Sequence, residues 1–278
     1  MLDFRLWATR LLLACAIMPS GAAAARFEHV EIVSPLARKG PFTARMLRPA
    51  GNGPFAAVVA LHGCGGLFTR KGEMQSREVD WAERLVAAGY VVLLPDSFTA
   101  RGISEICTVK ERSIHPQDRA GDAAAAARWL ADQPFVDASR LALVGWSNGG
   151  STVLWTVREG FMGQGADFRA AIAFYPGCRV MAARPQWRPR LPLTIFIGGA
   201  DDWTPPGPCR ELGLRAGVTV IEYPGAYHGF DAPNSQIRVR SNLALAKNGT
   251  AHVGTHPAAR AAAIEAVMGL LRSALERP

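Results

Sequence analysis

The sequence predicts an α/β fold: a mostly parallel central sheet with helices on both faces. Three observations lead there. Continuous apolar runs, such as residues 56–61 (AAVVAL) and 90–94 (YVVLL), have the pattern of strands buried on both faces. Helical stretches alternate with those runs, the order of repeated strand–helix–strand units. The chain has 278 residues, 49% apolar and 19% charged, enough to bury a large core without staples. That composition, with 28 Gly and 19 Pro spread along the chain, excludes a disordered protein, a collagen and a coiled coil.

The elements follow in order. Residues 27–33 and 43–48 read as two edge strands able to pair as a hairpin, and 49–54 (PAGNGP) as a turn. Strand 56–61 runs directly into His62-Gly-Cys-Gly-Gly66. A helix over 78–88 stops at Gly89, and strand 90–94 ends at Pro95-Asp96. Residues 97–115 lack periodicity and read as a long loop over the sheet edge. Pro116 opens an Ala-rich helix to residue 130, and 141–144 (LALV) is a short strand into Gly145. A helix over about 148–158, a turn at 160–165, strands at 170–174 and 193–197, a short helix at 209–216, a last core strand at 218–223 and a closing helix at 258–275 complete the chain. No repeat or linker divides it, so residues 26–278 read as one domain.

Residues 1–25 read as an export signal. Arg5 and Arg10 precede the apolar run 11–18, Pro19-Ser20-Gly21 breaks it, and small residues follow to Ala25. The run is shorter than the roughly 20 residues of a spanning helix. Leu12-Leu13-Ala14-Cys15 also resembles a lipoprotein cleavage box, which would anchor the protein to a membrane at Cys15. Secretion or a periplasmic location follows. The formal charge is +8, and losing Arg5, Arg10 and Asp3 with the signal leaves +7. The excess is scattered arginine, with no block of like charge and no basic-aromatic interleaving, so no nucleic-acid face is expected. Beyond residue 25 the cysteines are Cys64, Cys107, Cys178 and Cys209. An even number in an exported chain favours disulfides, and three pairings are possible. Chain order suggests Cys64 with Cys107 and Cys178 with Cys209, each pair joining neighbouring strand-end loops; buried free thiols are the alternative.

The chemistry gathers at strand ends. Gly145-Trp146-Ser147-Asn148-Gly149 fits G-x-S-x-G between a buried strand and a helix, the context a nucleophile elbow requires. Ser147 is the candidate nucleophile. His228, in Tyr227-His228-Gly229-Phe230 just past the last core strand, is the candidate base. The acid is sought after the strand ending at Ile197, where Asp201 and Asp202 are adjacent; spacing to Gly198 and Pro205 favours Asp201, and the other would cap the next turn. The amides of Cys64 and Asn148 are candidates for an oxyanion hole, with His62 ordering the glycine loop. Trp146, Trp203, Tyr175 and Phe98 are candidate cleft residues, and Arg101 and Arg179 candidate partners for a substrate carboxylate. There is no H-E-x-x-H, zinc spacing, phosphate loop or G-x-G-x-x-G, so no metal or cofactor is expected.

The elements HGCGG, GWSNGG, GGADDWTP and YHGF, in this order and spacing, resemble the dienelactone hydrolase family over about residues 42–275. The resemblance implies an α/β-hydrolase fold without a large cap domain, a nucleophile–Asp–His triad, and a small-molecule ester or lactone substrate. The founding enzymes open a lactone with a cysteine nucleophile and carry a glutamate where this chain reads His62-Gly63; here the nucleophile position holds Ser147. The same triad would also suit an amidase or peptidase, or an acyltransferase, and an inactive binding protein on this scaffold is a further reading.

Overall fold

The computed structural model describes residues 26–161 and 166–276. The export signal expected at 1–25, with Cys15, and most of the turn at 160–165 lie outside them. Eight strands form one sheet: β1 (Glu28–Ile32), β2 (Phe42–Leu47), β3 (Phe55–Leu61), β4 (Val91–Asp96), β5 (Val136–Trp146), β6 (Ala170–Phe174), β7 (Leu193–Gly198) and β8 (Thr219–Tyr223). Their spatial order is β1-β2-β4-β3-β5-β6-β7-β8. The order reverses around β3, and strands β4 through β8 run parallel. β2 is antiparallel to both neighbours, so the expected hairpin forms. β2 is nevertheless interior, not an edge strand: its second side pairs with β4.

Helices cover both faces of the sheet. On one, α1 (Ser76–Ala87) and the closing helix α6 (Pro257–Leu275) are joined by Arg260, whose guanidinium bonds both oxygens of Asp80 at 2.8 and 2.9 Å. On the other, α2 (Pro116–Ala131) packs on α3 (Asn148–Thr156). Ala120, Ala123, Ala126 and Ala127 of α2 are all buried. Small side chains let this helix lie close to its neighbours, so an alanine-rich segment with a weak amphipathic signal is a central core helix.

Four features depart from the sequence reading. β5 begins five residues before the expected 141, because the polar stretch Asp137–Arg140 continues the strand beyond the apolar run. A short helix α4 (Arg179–Ala182), absent from the sequence reading, precedes β7, whereas the short helix expected before β8 forms as α5 (Gly207–Ala216). After β8 a small antiparallel hairpin, β9 (Arg238–Arg240) with β10 (Ala251–Val253), stands apart from the main sheet. The loop after β4 does not lie over the sheet edge. It closes over the carboxyl ends of the strands, where its Ile106, Cys107 and Ile114 make a second small core with Cys64, Phe98, Leu243 and Ala251.

Two disulfides fasten this end of the molecule, Cys64 to Cys107 and Cys178 to Cys209. The second closes a loop of sequence separation 31. Chain-entropy arguments give such a link about 3.7 kcal/mol. Replacing Cys178 and Cys209 together by alanine is therefore expected to lower Tm by about 7–15 °C in a chain of this size, read by thermal denaturation. An unchanged Tm would mean that the link constrains nothing the fold needs.

Candidate active site

Ser147 sits at the junction of β5 and α3 with φ 54° and ψ −113°. A non-glycine residue holds such a conformation only when its surroundings impose it. Glycines make the turn possible: a Cβ on Gly145 would lie 2.4 Å from the carbonyl oxygen of Gly149, and one on Gly149 would lie 2.1 Å from that of Leu61. The turn puts the Ser147 hydroxyl at the carboxyl edge of the sheet, where it lines a cavity of about 530 Å³.

Its neighbour is His228, from the loop after β8. Ser147 Oγ lies 2.9 Å from His228 Nε2, and His228 Nδ1 lies 2.8 Å from Asp201 Oδ2. With Nδ1 donating to the carboxylate, Nε2 is left to accept the serine proton. The imidazole is sandwiched, with Tyr175 4.5 Å and Trp203 4.6 Å away between ring centroids. Asp201 is buried. Its Oδ1 accepts the amides of Trp203 (2.9 Å) and Thr204 (2.8 Å), which leaves Oδ2 aimed at the histidine. The Thr204 hydroxyl lies 3.0 Å from that Oδ2 and 3.0 Å from the Tyr175 carbonyl oxygen, tying the β6 and β7 loops together.

The two adjacent aspartates take different partners. Asp202 accepts the backbone amide of His252 at 2.9 Å and pairs with its ring at 2.8 Å, on the surface. The turn-capping expected of the aspartate not facing His228 is thus done by Asp201 itself. Cys64 and Asn148 both line the cavity beside Ser147. Asn148 is the first residue of α3, so its N–H is one of the helix-end donors without an intrahelical partner. His62 is fully buried. Its Nδ1 donates to the Gly63 carbonyl (2.8 Å), and Nε2 accepts the Ser97 amide (3.3 Å). Burial, with the nearby Arg119 and Arg77 charges, holds its pKa well below the ordinary value, so it orders the loop as a neutral ring.

Three residues expected to line the cleft do not reach it. Trp146 is fully buried on the opposite side of the strand, its indole N–H bonded to Asp231 at 2.8 Å. Phe98 is buried edge-on against His62. Tyr175 is buried behind His228, its hydroxyl bonded to Asp231 at 2.5 Å; burial and that carboxylate raise its pKa well above 10.0. Arg101 is likewise structural: it forks onto Asp122 at 2.7 and 2.8 Å and donates to the carbonyls of Lys39, Gly40 and Ser97. Trp203 and Arg179 do line the cavity, with Leu154, Trp155 and Met181. Of the second disulfide, Cys178 faces the cavity and Cys209 is buried.

Sequence reading missed Asp231, Thr204 and Arg119. Asp231 accepts both Trp81 Nε1 (2.7 Å) and Trp146 Nε1 beneath the site. Its signal was present: an acidic residue directly after His228-Gly229-Phe230, where the chain turns inward. Arg119 falls on the same helical stripe as Ala123, Ala126 and Leu130, a cation in register with the core. Among the described residues no group of three or more His, Cys, Asp or Glu is placed to hold a metal ion.

The sequence model of the dienelactone hydrolase family matches residues 42–275. No curated protein matches the chain. Among solved structures, a proposed dienelactone hydrolase from Klebsiella pneumoniae subsp. pneumoniae superposes with a TM-score of 0.66 at 16% identity, over 90% of this chain and 99% of that one. A dienelactone hydrolase-like promiscuous phosphotriesterase from metagenomic libraries gives 0.62 at 21%, over 91% and 99%. A hyperthermophilic esterase from the archaeon Pyrobaculum calidifontis gives 0.58 at 18%, over 89% and 83%. At these identities the likeness shows a shared fold; the family match, covering most of the chain, places it more narrowly. The chain belongs to the dienelactone hydrolase family of α/β-hydrolases and is a carboxylic ester hydrolase.

Proposed function

We propose that the protein hydrolyses small carboxylic esters or lactones through an acyl-enzyme on Ser147, with His228 as general base and acid and Asp201 as its orienting carboxylate. The observation that carries this reading is the unbroken row from Ser147 Oγ to His228 Nε2 (2.9 Å) and from His228 Nδ1 to Asp201 Oδ2 (2.8 Å), on a strained elbow open to a cavity. His228 takes the serine proton as Oγ attacks the carbonyl carbon. The tetrahedral oxyanion is held by the Cys64 and Asn148 amides, each donor contributing about 3 kcal/mol. Collapse expels the alkoxide, which takes the proton from His228. Water, activated by the same imidazole, then releases the acid. The chemistry needs no cofactor, and the partner is the small-molecule substrate itself.

The cavity supports a modest, mixed substrate. Its walls are apolar at Leu154, Trp155, Met181 and Trp203, and its rim carries Lys110, Arg112 and Arg179. Arg179 is exposed, so its attraction for a substrate carboxylate is screened and worth at most about 1 kcal/mol. Arg179→Ala is expected to raise KM for an ester bearing a distal carboxylate up to about fivefold relative to its neutral counterpart, in paired steady-state assays. Equal shifts for both substrates would remove Arg179 from that role.

We also propose that residues 26–278 act as one exported domain. The two disulfides support an oxidising compartment, and among the described residues no helix is long and apolar enough to cross a membrane. A panel of p-nitrophenyl esters, lactones and anilides tests the reaction class. Turnover of short-chain esters without anilides is the expected result. Anilide turnover without ester turnover would replace the esterase reading by an amidase.

A further inference from the structure

Arg119 is fully buried in the first turns of α2, and among the described residues its guanidinium bonds only neutral acceptors. Nη1 donates to Asn148 Oδ1 at 2.7 Å, and Nη2 donates to the His62 carbonyl oxygen at 2.9 Å. Among the described residues Nε has no hydrogen-bond partner, and the guanidinium lies over Phe98, its central carbon 5.2 Å from the ring centroid. Asp122, the nearby carboxylate on the same helix, is already forked by Arg101. Among the described residues no carboxylate forms a salt bridge with Arg119.

A buried cation without a bonded anion is costly, and burial lowers this one to about 10, still protonated at neutral pH. Joining two oxygen acceptors does not itself require charge, since a neutral amide could donate to both. The position of the acceptors supplies a reason for the charge. His62 opens the loop carrying Cys64, and Asn148 follows Ser147. These segments are far apart in sequence and supply the two amides of the proposed oxyanion hole. A guanidinium behind both would fix their separation and set a positive field where negative charge develops.

We propose that Arg119 is a positioning residue of the oxyanion hole, a charged fork that holds the His62–Cys64 loop and the Asn148 helix end in register for the tetrahedral intermediate. The inference rests on the serine-hydrolase reading and deepens it. It requires that losing Arg119 weaken transition-state binding more than substrate binding.

The test uses the full chain as wild type, Arg119→Met and Arg119→Lys. Each is assayed on p-nitrophenyl acetate and for inhibition by a trifluoromethyl ketone, which adds Ser147 to form a tetrahedral oxyanion. For Arg119→Met the expected result is a fall of about 100-fold in kcat, a matching fall in trifluoromethyl ketone affinity, and KM within twofold. Arg119→Lys, keeping charge but not the two-armed fork, is expected to recover part of both losses. Wild-type kcat in Arg119→Met overturns the proposal, as does a loss of kcat without loss of inhibitor affinity. If Arg119→Met does not fold by circular dichroism, Arg119→Lys and Asn148→Ala carry the test. Asn148→Ala removes one acceptor and keeps the backbone amide; each is expected to lose about tenfold in kcat and inhibitor affinity together, and wild-type values in both overturn the proposal. Fluorophosphonate labelling separates the two levels. A wild type that neither labels at Ser147 nor cleaves esters fails the hydrolase reading. A labelled, active wild type with unaffected Arg119 variants fails this inference alone.

Discussion

Ser147→Ala is expected to lower kcat on p-nitrophenyl acetate by about 10⁴- to 10⁶-fold while leaving the circular dichroism spectrum and Tm close to wild type. The hydroxyl faces a cavity, and among the described residues its only side-chain partner is His228. Removing it therefore costs little packing. Alanine can keep the same turn, since the strain at φ 54° is set by the backbone around Gly145 and Gly149. His228→Ala should lose nearly as much activity, and the double variant scarcely more than either single one, because the two groups act as a unit. Additive losses would mean that His228 and Ser147 contribute separately.

Asp231→Leu is expected to cause the largest loss of stability, about 4 kcal/mol or more in urea denaturation. The carboxylate is fully buried and accepts Trp81 Nε1 at 2.7 Å and Trp146 Nε1 at 2.8 Å on one oxygen, with the Tyr175 hydroxyl at 2.5 Å on the other. Leucine would leave three buried donors unpaired, at about 1–3 kcal/mol each. Asp231→Asn should be far milder, near 1–2 kcal/mol, because one amide oxygen can keep both indoles while the amide nitrogen donates to Tyr175. Because Tyr175 backs His228, the leucine variant should also lose activity beyond its loss of folded protein. A destabilisation under 1 kcal/mol for Asp231→Leu would mean the three donors find other partners.

Much of the fold was legible because buried parallel strands are long apolar runs and each ends in turn chemistry. The motifs at those ends told where Ser147, His228 and the aspartate pair lie along the chain, and the parallel topology brings such ends to one edge. What the pattern does not contain is which way a side chain points. β5 and β6 are covered on both faces, so their residues read as uniformly apolar. Nothing in the sequence distinguishes a Trp146 facing the cleft from one facing α1, and the same holds for Tyr175 one residue past β6. Asp201 and Asp202 differ by a single step along the loop, and only the fold separates them: Asp201 is buried against His228, while Asp202 stays on the surface with the β10 residue His252. The β9–β10 hairpin escaped notice because strands of three residues, one of them Arg-Val-Arg, carry no periodic signal. Arg119 and Asp231 were hidden for a common reason. Each is a charged residue in core register, and a sequence shows the charge without showing the partners that make its burial tolerable.

The most direct measurement is to quench the wild type during turnover of a slowly deacylated p-nitrophenyl ester and map the adduct by peptide mass spectrometry. The account predicts one acyl group per chain, on the peptide containing Ser147, absent from Ser147→Ala. Steady turnover with an unmodified Ser147 peptide, or an acyl group on another side chain, would contradict it.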